Sequence, residues 1–136
     1  AQVSWDFIEN NSGLWTLNLI TDSVKATQDN GDYLPRIAPA RFGGDIAWQF
    51  GNWTAGFGVL HVFDQNDVAP DETKTGGYNW INANVAYNWK AGDTDMQLFL
   101  DGSNLGNEQA RVATSYLKNY APLPGSTVEA GFRIYF

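Results

Sequence analysis

Few residues of this sequence could bind a metal ion or transfer a proton. His61 is the single histidine and cysteine is absent, so thiolate metal sites are excluded. Four acids follow His61 in one stretch, at Asp64, Asp67, Asp71 and Glu72. Carboxylates are hard oxygen ligands that attract cations without help from histidine. We therefore predict cation contact by Asp67, Asp71 and Glu72, with ordinary solvated loop acids as the alternative.

The remaining candidates for site chemistry have simpler explanations. His61 shares one face of a predicted strand with Phe57 and Val59, so we expect it to point to lipid or to an outer rim. Residues 29–32 (Asp-Asn-Gly-Asp) lack the later spacing and terminal glutamate of an EF-hand calcium loop. General acid–base catalysis needs a proton carrier within reach of a nucleophile. Because no motif supplies that pair, we predict that the protein is not an enzyme and carries no cofactor.

Charged residues also occur within predicted strands, at Asp45, Asp101, Glu129 and Arg133. Each lies on the polar side of its strand. A charge costs little where a membrane strand faces a water-filled lumen and much where it faces lipid. We expect these four residues to face such a lumen and to pair across neighbouring strands rather than to contact a substrate.

Alternation with a period of two residues predicts the elements that position these groups. The first strand places Val3, Trp5 and Phe7 on one face. The second strand loses its phase near Thr21, which predicts either a bulge or an exit from lipid. The seven predicted strands cover residues 3–9, 14–28, 41–51, 53–64, 78–89, 95–105 and 127–136.

The connections between these strands alternate in length. Residues 10–13, 51–52 and 91–94 form short polar turns, whereas residues 30–39, 65–77 and 107–125 form long loops rich in Pro, Gly and Asp. Short turns on one side and long loops on the other are typical of outer-membrane β-barrels, whose long loops are extracellular.

The two faces of the predicted sheet differ in polarity. Aromatic residues gather beside the short turns, as in the girdle that marks a membrane interface. The residues predicted to face lipid are Phe42, Ile46, Trp48, Phe57, Val59, Val85, Phe132 and Ile134. Those predicted to face the lumen are Asp45, Gln49, Asn82, Asn84, Gln97, Glu129 and Arg133. The second face is too polar for the core of a soluble sandwich.

The composition is consistent with this topology. The aromatic fraction is 15%, which is high for a soluble acidic domain. A mean hydropathy of −0.34 fits alternating strands, whose average stays near neutral. A net charge of −7 argues against a nucleic-acid partner, because phosphate binding needs a basic surface. The predicted fold class is all-β, an antiparallel transmembrane β-barrel.

Seven is an odd number of strands, whereas bacterial single-chain barrels have even numbers. An open seven-stranded sheet would leave two unpaired edges in lipid. We therefore expect residues 1–136 to be one segment of a larger barrel whose other strands precede Ala1.

The end of the sequence resembles the C-terminal signal that the barrel-assembly machinery reads in outer-membrane proteins. The pattern has a polar residue at Glu129, glycine at Gly131, a hydrophobic residue at Ile134 and a terminal Phe136. The resemblance implies that these four residues form the assembly signal.

Upstream segments resemble TonB-dependent receptors. Residues 104–107 (Asn-Leu-Gly-Asn) are similar to the end of the penultimate strand in that family. Residues 115–118 (Ser-Tyr-Leu-Lys) and 121–125 (Ala-Pro-Leu-Pro-Gly) extend the match, although Ser126 replaces the usual arginine. Shorter matches at 34–36, 41–43 and 71–73 mean that the resemblance covers most of the chain.

The resemblance implies the C-terminal segment of a barrel of about 22 strands, closest to the zinc-uptake or siderophore receptors. Such a receptor takes up a scarce nutrient through the bacterial outer membrane. The implied partners are the rest of the barrel and its plug, the TonB complex acting through that plug, the barrel-assembly machinery and outer-membrane lipid. Colicins and phage are candidate ligands of the loops.

Three other functions stay open on the sequence alone. An outer-membrane protease or acyltransferase lacks support from any catalytic motif. A soluble ligand-binding barrel of the avidin or lipocalin kind would explain the length and the tryptophan content, but not the polar inner face. A complete small barrel acting as an anchor or adhesin needs an eighth strand, for which residues 111–118 are the candidate.

Overall fold

The computed structural model describes residues 1–135, and Phe136, the last residue of the predicted assembly signal, lies outside them. Seven strands form one antiparallel sheet, as the alternation predicts. Each strand pairs with its neighbours in the chain, in the order β1 to β7. The strands are β1 (Gln2–Asn10), β2 (Gly13–Asp22), β3 (Arg41–Phe50), β4 (Trp53–Val62), β5 (Tyr78–Ala91), β6 (Thr94–Ser103) and β7 (Thr127–Tyr135).

The sheet has a turn end and a loop end. Two-residue turns at 11–12, 51–52 and 92–93 join strands at the turn end. Gly51 and Gly92 have φ angles of 55° and 65° there, a left-handed conformation that tight hairpin turns require and that glycine adopts without strain. The first loop (23–40), the second loop (63–77) and the third loop (104–126) lie at the loop end. Within residues 1–135 no helix has the length and hydropathy that a membrane crossing needs.

The second strand ends earlier than predicted. Its register with β3 is unbroken from Leu14 to Asp22, so β2 contains no bulge near Thr21. Beyond Asp22 the partner strand is missing, because β3 begins at Arg41 directly opposite Asp22. The prediction of a strand reaching residue 28 was therefore wrong.

A bulge occurs in the first strand instead. Val3 and Trp5 lie opposite Leu19 and Leu17, but the register shifts between Asp6 and Ile8. Phe7 is the extra residue, and Ile8 then takes the place opposite Trp15. The bulge keeps apolar residues on one side of β1 although the period-two pattern is broken.

One face of the sheet is apolar and exposed. The cross-strand register aligns Leu17, Ile46, Phe57 and Ala83, and Val85 lies opposite Leu100 on the same face. The solvent-accessible area is 9179 Å². A folded monomer of 15.0 kDa would expose about 7,000 Å². The excess arises because the sheet has no second layer that covers this face.

The buried interior is correspondingly small. The buried hydrophobic residues among 1–135 are Val62, Ala86, Ala110 and Ala113, and the largest fully buried side chain is the polar Asn104. Residues 111–118, the candidate eighth strand of a small closed barrel, form turns rather than a strand. The rival of a complete eight-stranded barrel therefore loses its only candidate strand.

Candidate functional site

The three long loops are joined by a buried ion pair. The Lys118 ammonium lies 2.9 Å from Oε1 of Glu72, and their side chains are only 7% and 12% exposed. Lys118 Nζ also donates to the carbonyl oxygen of Thr73 at 2.6 Å. The second carboxylate oxygen of Glu72 accepts the backbone N–H of Arg36 at 3.0 Å. One carboxylate thus connects the first, second and third loops.

The hydrogen bonds at Glu72 outweigh the effect of its burial. Burial alone would raise the pKa of Glu72, but hydrogen bonds from the Lys118 side chain and the Arg36 backbone hold that pKa below its ordinary value. The Arg36 guanidinium lies 3.1 Å from the ring centre of Tyr116, a cation–π contact between the first and third loops. We call residues Arg36, Glu72, Thr73, Tyr116 and Lys118 the loop clasp.

Asn104 forms a second fixed point at the start of the third loop. Its side-chain amide donates to the carbonyl oxygens of Glu108 and Pro124 at 2.9 and 3.0 Å, and its Oδ1 accepts the Glu108 N–H at 2.9 Å. Asn104 and Asn107 have φ angles of 49° and 51°, which asparagine tolerates better than most residues. The contacts of Asn104 and the positive φ angles of both residues give a physical reason for asparagine at both positions of the 104–107 motif.

The predicted cation ligands do not form a common site in this geometry. Glu72 is bonded to Lys118 and to the Arg36 backbone. Asp67 lies 3.9 Å from the Lys25 ammonium, and the two side chains are 44% and 81% exposed. Asp71 is exposed as well. Residues 1–135 contain no group of three or more His, Cys, Asp or Glu side chains that could hold a metal ion. Cation contact by these acids stays a prediction.

His61 lies on the apolar face near the loop end, as the alternation predicts. It is opposite Phe42 in β3 and Asn79 in β5. Its Nδ1 is 2.8 Å from Oδ1 of Asn79, and its ring meets that of Phe63 edge-on at 4.5 Å. These contacts account for His61 without a metal ion.

The polar face carries the four predicted charged residues. Asp45 accepts a hydrogen bond from Asn18 at 2.7 Å, and Arg133 donates to Gln97 at 2.6 Å, in each case across neighbouring strands. Asp101 and Glu129 lie directly opposite one another. The predicted pairing thus occurs at Asp45 and Arg133 with neutral partners, whereas Asp101 and Glu129 face a like charge.

A trough runs along this polar face between β2 and β5. It consists of two adjoining depressions of about 380 and 220 Å³ that share Asp45, Gly58 and Asn82. Its floor is open because Gly56 and Gly58 have no side chains that would fill it. A Cβ on Gly56 would lie 2.4 Å from Oδ1 of Asn84, and one on Gly58 would lie 3.2 Å from Cβ of Asp45. The two glycines therefore let Asn84 and Asp45 lie flat against the sheet.

The predicted assembly signal includes a glycine with a packing role. The Phe99 ring covers Gly131, since a Cβ there would lie 2.3 Å from Cζ of Phe99. The Arg133 guanidinium also lies over this ring, 3.9 Å from its centre. Covering an edge-strand glycine with an aromatic ring helps to fix strand register. Glu129 and Ile134 are exposed on opposite faces of β7.

Gly131→Ala should therefore destabilise the folded sheet itself. Overpacking of this kind costs about 1–3 kcal/mol, because the Phe99 ring must move off β7. Urea unfolding in detergent measures the cost, and Gly131→Ala combined with Phe99→Leu should recover part of it. If Gly131→Ala folds normally in detergent and fails only in cellular membrane insertion, glycine serves recognition and not packing.

Sequence reasoning missed the loop clasp and the trough. Glu72 and Lys118 are 46 positions apart, and each lies in a loop of irregular backbone. No sequence periodicity therefore marks their pairing. The glycines of β4 were the available signal for the trough, since Gly56 and Gly58 both lie on the polar face.

No protein-family model matches the sequence, and no curated protein is significantly similar to it.

Proposed function

We propose that the chain forms part of the wall of an outer-membrane β-barrel in a TonB-dependent receptor. The observation that carries the proposal is the polarity of the sheet, with large apolar side chains exposed on one face and amides and charges on the other. In water the apolar face would be costly, since large exposed apolar patches are rare on soluble monomers. In a bilayer the same face is solvated by lipid and the polar face by a water-filled lumen.

The dimensions of the sheet support a membrane location. Its strands are 9 to 14 residues long, and a tilted transmembrane strand needs about 9–11 residues. Aromatic rings on the apolar face meet near the turn end, where Trp15 lies 6.0 Å from Trp48, and Trp53 lies 4.8 Å from Tyr87. Such a row of Trp and Tyr is enriched at the headgroup level of membranes.

The open edges support a barrel with further strands. Both β1 and β7 run from the loop end to the turn end, so a direct pair between them would be parallel. An antiparallel barrel that contains this sheet needs an odd number of additional strands between these edges. A receptor barrel of about 22 strands meets this condition with 15 more.

The nutrient and the partners rest on the resemblance to the receptor family. In this proposal the receptor takes up zinc or an iron siderophore, and a plug domain inside the barrel relays energy from the TonB complex. The loop clasp lies among the loops that would face the outside, where ligands, colicins or phage would make first contact. Function on loops held by a rigid scaffold is the general expectation.

Single-cysteine spin labels test the membrane part of the proposal. The chain has no native cysteine, so each label reports one site. In the intact barrel in lipid vesicles, labels at Ile46, Phe57 and Phe132 should be accessible to oxygen in lipid. Labels at Asn84 and Glu129 should be accessible to a water-soluble nickel reagent. A mixture of the two behaviours within either set would contradict the proposed topology.

A further inference from the structure

A pocket of about 290 Å³ lies between the first and second loops, separate from the trough. Both loops contribute apolar side chains to its walls, which include Val24, Tyr33, Ile37, Pro39 and Phe63. Two hydrogen bonds join the loops at the pocket. Gln65 Nε2 donates to the carbonyl oxygen of Ile37 at 2.8 Å, and the Phe63 N–H donates to that of Ala40 at 3.0 Å. A mostly apolar pocket with a few polar groups is typical of a small-molecule site.

The charged side chains that line the pocket leave it with an excess of negative charge. They are Asp64, Asp67 and Lys25. Oδ1 of Asp64 accepts the Gly77 N–H at 2.6 Å, which holds this carboxylate in place. Asp67 is less committed, because the Lys25 ammonium is 3.9 Å away and the lysine side chain is 81% exposed. Such an exposed pair contributes little stability, so the ammonium group of a ligand can replace Lys25 beside Asp67.

The lining of the pocket favours an organic ligand over a bare metal ion. Zinc sites in proteins use several convergent His, Cys, Asp or Glu side chains, and residues 1–135 bring no group of three such side chains together. Apolar walls offer no ligands to a metal ion, but they remove a hydrocarbon arm from water. The negative charge beside these walls repels an anionic chelate and attracts a cationic one.

We infer that this pocket selects a metal chelate that carries an aliphatic arm ending in an ammonium group. The arm lies against the apolar walls, and its ammonium replaces Lys25 at the Asp67 carboxylate. The inference deepens the proposed function by naming the charge class of the nutrient, and it rests on the loops facing the outside of the cell. Small-molecule pockets have volumes of about 300 Å³ or more, so this one takes the arm while the metal-binding core stays outside.

The test is calorimetric titration of the intact, detergent-solubilised barrel with the ferric complex of desferrioxamine B. This trihydroxamate has a free aliphatic arm that ends in an ammonium group, and its N-acetylated form has the same core without that charge. We expect saturable binding of the ammonium form. The N-acetylated form should bind about tenfold more weakly, the effect of one lost charge-assisted hydrogen bond.

Variants of the lining separate the pocket from the rest of the loops. Asp67→Asn should weaken binding of the ammonium form about fivefold and leave the N-acetylated form unchanged. Lys25→Met should tighten binding of the ammonium form, because it removes a competing cation. Asp71→Asn is the matched control, since it removes an exposed acid of the same loop that does not line the pocket, and it should change neither affinity.

Val24→Trp fills the pocket without changing any charge, and Val24 is 55% exposed, so the sheet should tolerate it. It should weaken binding of both chelates. Equal binding of the two chelates, no binding of the ammonium form, or affinities that Asp67→Asn and Val24→Trp leave unchanged would overturn the inference. Tighter binding of an anionic ferric catecholate or of zinc alone would also overturn it, while leaving the receptor function intact. The spin labels report membrane topology independently, so a failed pocket and a failed topology are told apart.

Discussion

The Ile46→Arg variant should lose about 2–4 kcal/mol of unfolding free energy in lipid, whereas Ala47→Arg should lose less than about 1 kcal/mol. Ile46 lies midway along β3 between Leu17 and Phe57 on the apolar face, and its side chain is 40% exposed. In the proposed bilayer location, a guanidinium at this depth must leave water for hydrocarbon. The neighbouring Ala47 lies at the same depth on the polar face, opposite Thr16 and Gly56.

This pair of variants isolates the environment of each face, because the two positions share strand, depth and introduced residue. Urea unfolding of the intact barrel in lipid vesicles, followed by tryptophan fluorescence, gives both free energies. Equal losses at the two positions would mean that both faces meet the same solvent. That outcome would remove the main support for a membrane barrel.

Lys118→Met should open the loop clasp at a cost of about 3–5 kcal/mol to the local stability of the loops. Methionine keeps the packing of the lysine stem but removes the charge, so the buried Glu72 carboxylate keeps only backbone hydrogen bonds, from Arg36 and Ala69. The sheet should stay folded, because the strand ladders do not depend on this pair. Hydrogen exchange at the Gln65 and Thr75 amides, which bond across the second loop at 2.8 and 3.1 Å, should become faster.

The exposed pair of Lys25 and Asp67 is the matched control. Its side chains are 81% and 44% exposed and its charges are 3.9 Å apart, so Lys25→Met should not change loop exchange measurably. The double variant Lys118→Met with Glu72→Gln should recover part of the protection, since no buried charge is then left unpaired. Protection unchanged by Lys118→Met would show that the clasp does not hold the loops together.

The same loops should respond to acid in a defined direction. Because the pKa of Glu72 is lowered in the folded state, the contribution of Glu72 to the stability of the loops is fully present above the ordinary pKa of 4.5. That contribution is lost as the pH falls through the lowered pKa. Loop protection should therefore persist at pH 5 and fade only in stronger acid. In Lys118→Met the hydrogen bond that lowers this pKa is gone, so the fading should begin at higher pH.

The strands and their faces were predictable because side chains alternate between the two faces of a strand. The order of the strands in the sheet is simple as well, because each strand pairs with its neighbours in the chain. A one-residue slip would move every apolar residue of β3 to the polar face, so the pattern excludes such slips and fixes which face each residue occupies. The bulge in β1 escaped prediction because Phe7 and Ile8 are both apolar, and either could occupy the apolar face. The end of β2 escaped because it depends on where β3 begins, not on residues 23–28.

The candidate site was less predictable than the fold. The contacts of Lys118, Asn104 and Arg36 run between loops, where backbone conformation follows no period. Glu72 was expected to be open to cations, since loop acids are usually hydrated. Its burial depends on Lys118, a residue 46 positions away. The sequence pattern assigned Asp101 and Glu129 to the polar face. That they lie directly opposite one another follows only from the register of β6 and β7.

The loop clasp also has a consequence for the order of folding. All strand contacts in the sheet join chain neighbours, and such local topology favours rapid, stepwise zipping of one hairpin after another. The clasp instead joins Arg36, Glu72 and Lys118, which lie in three different loops. These residues can meet only after the strands on both sides of each loop have paired. Closing those longer segments costs more chain entropy. The sheet should therefore acquire its ladders first and its loop structure last. A chain stalled before the third loop would display a complete β1–β6 sheet whose first two loops are not yet held together.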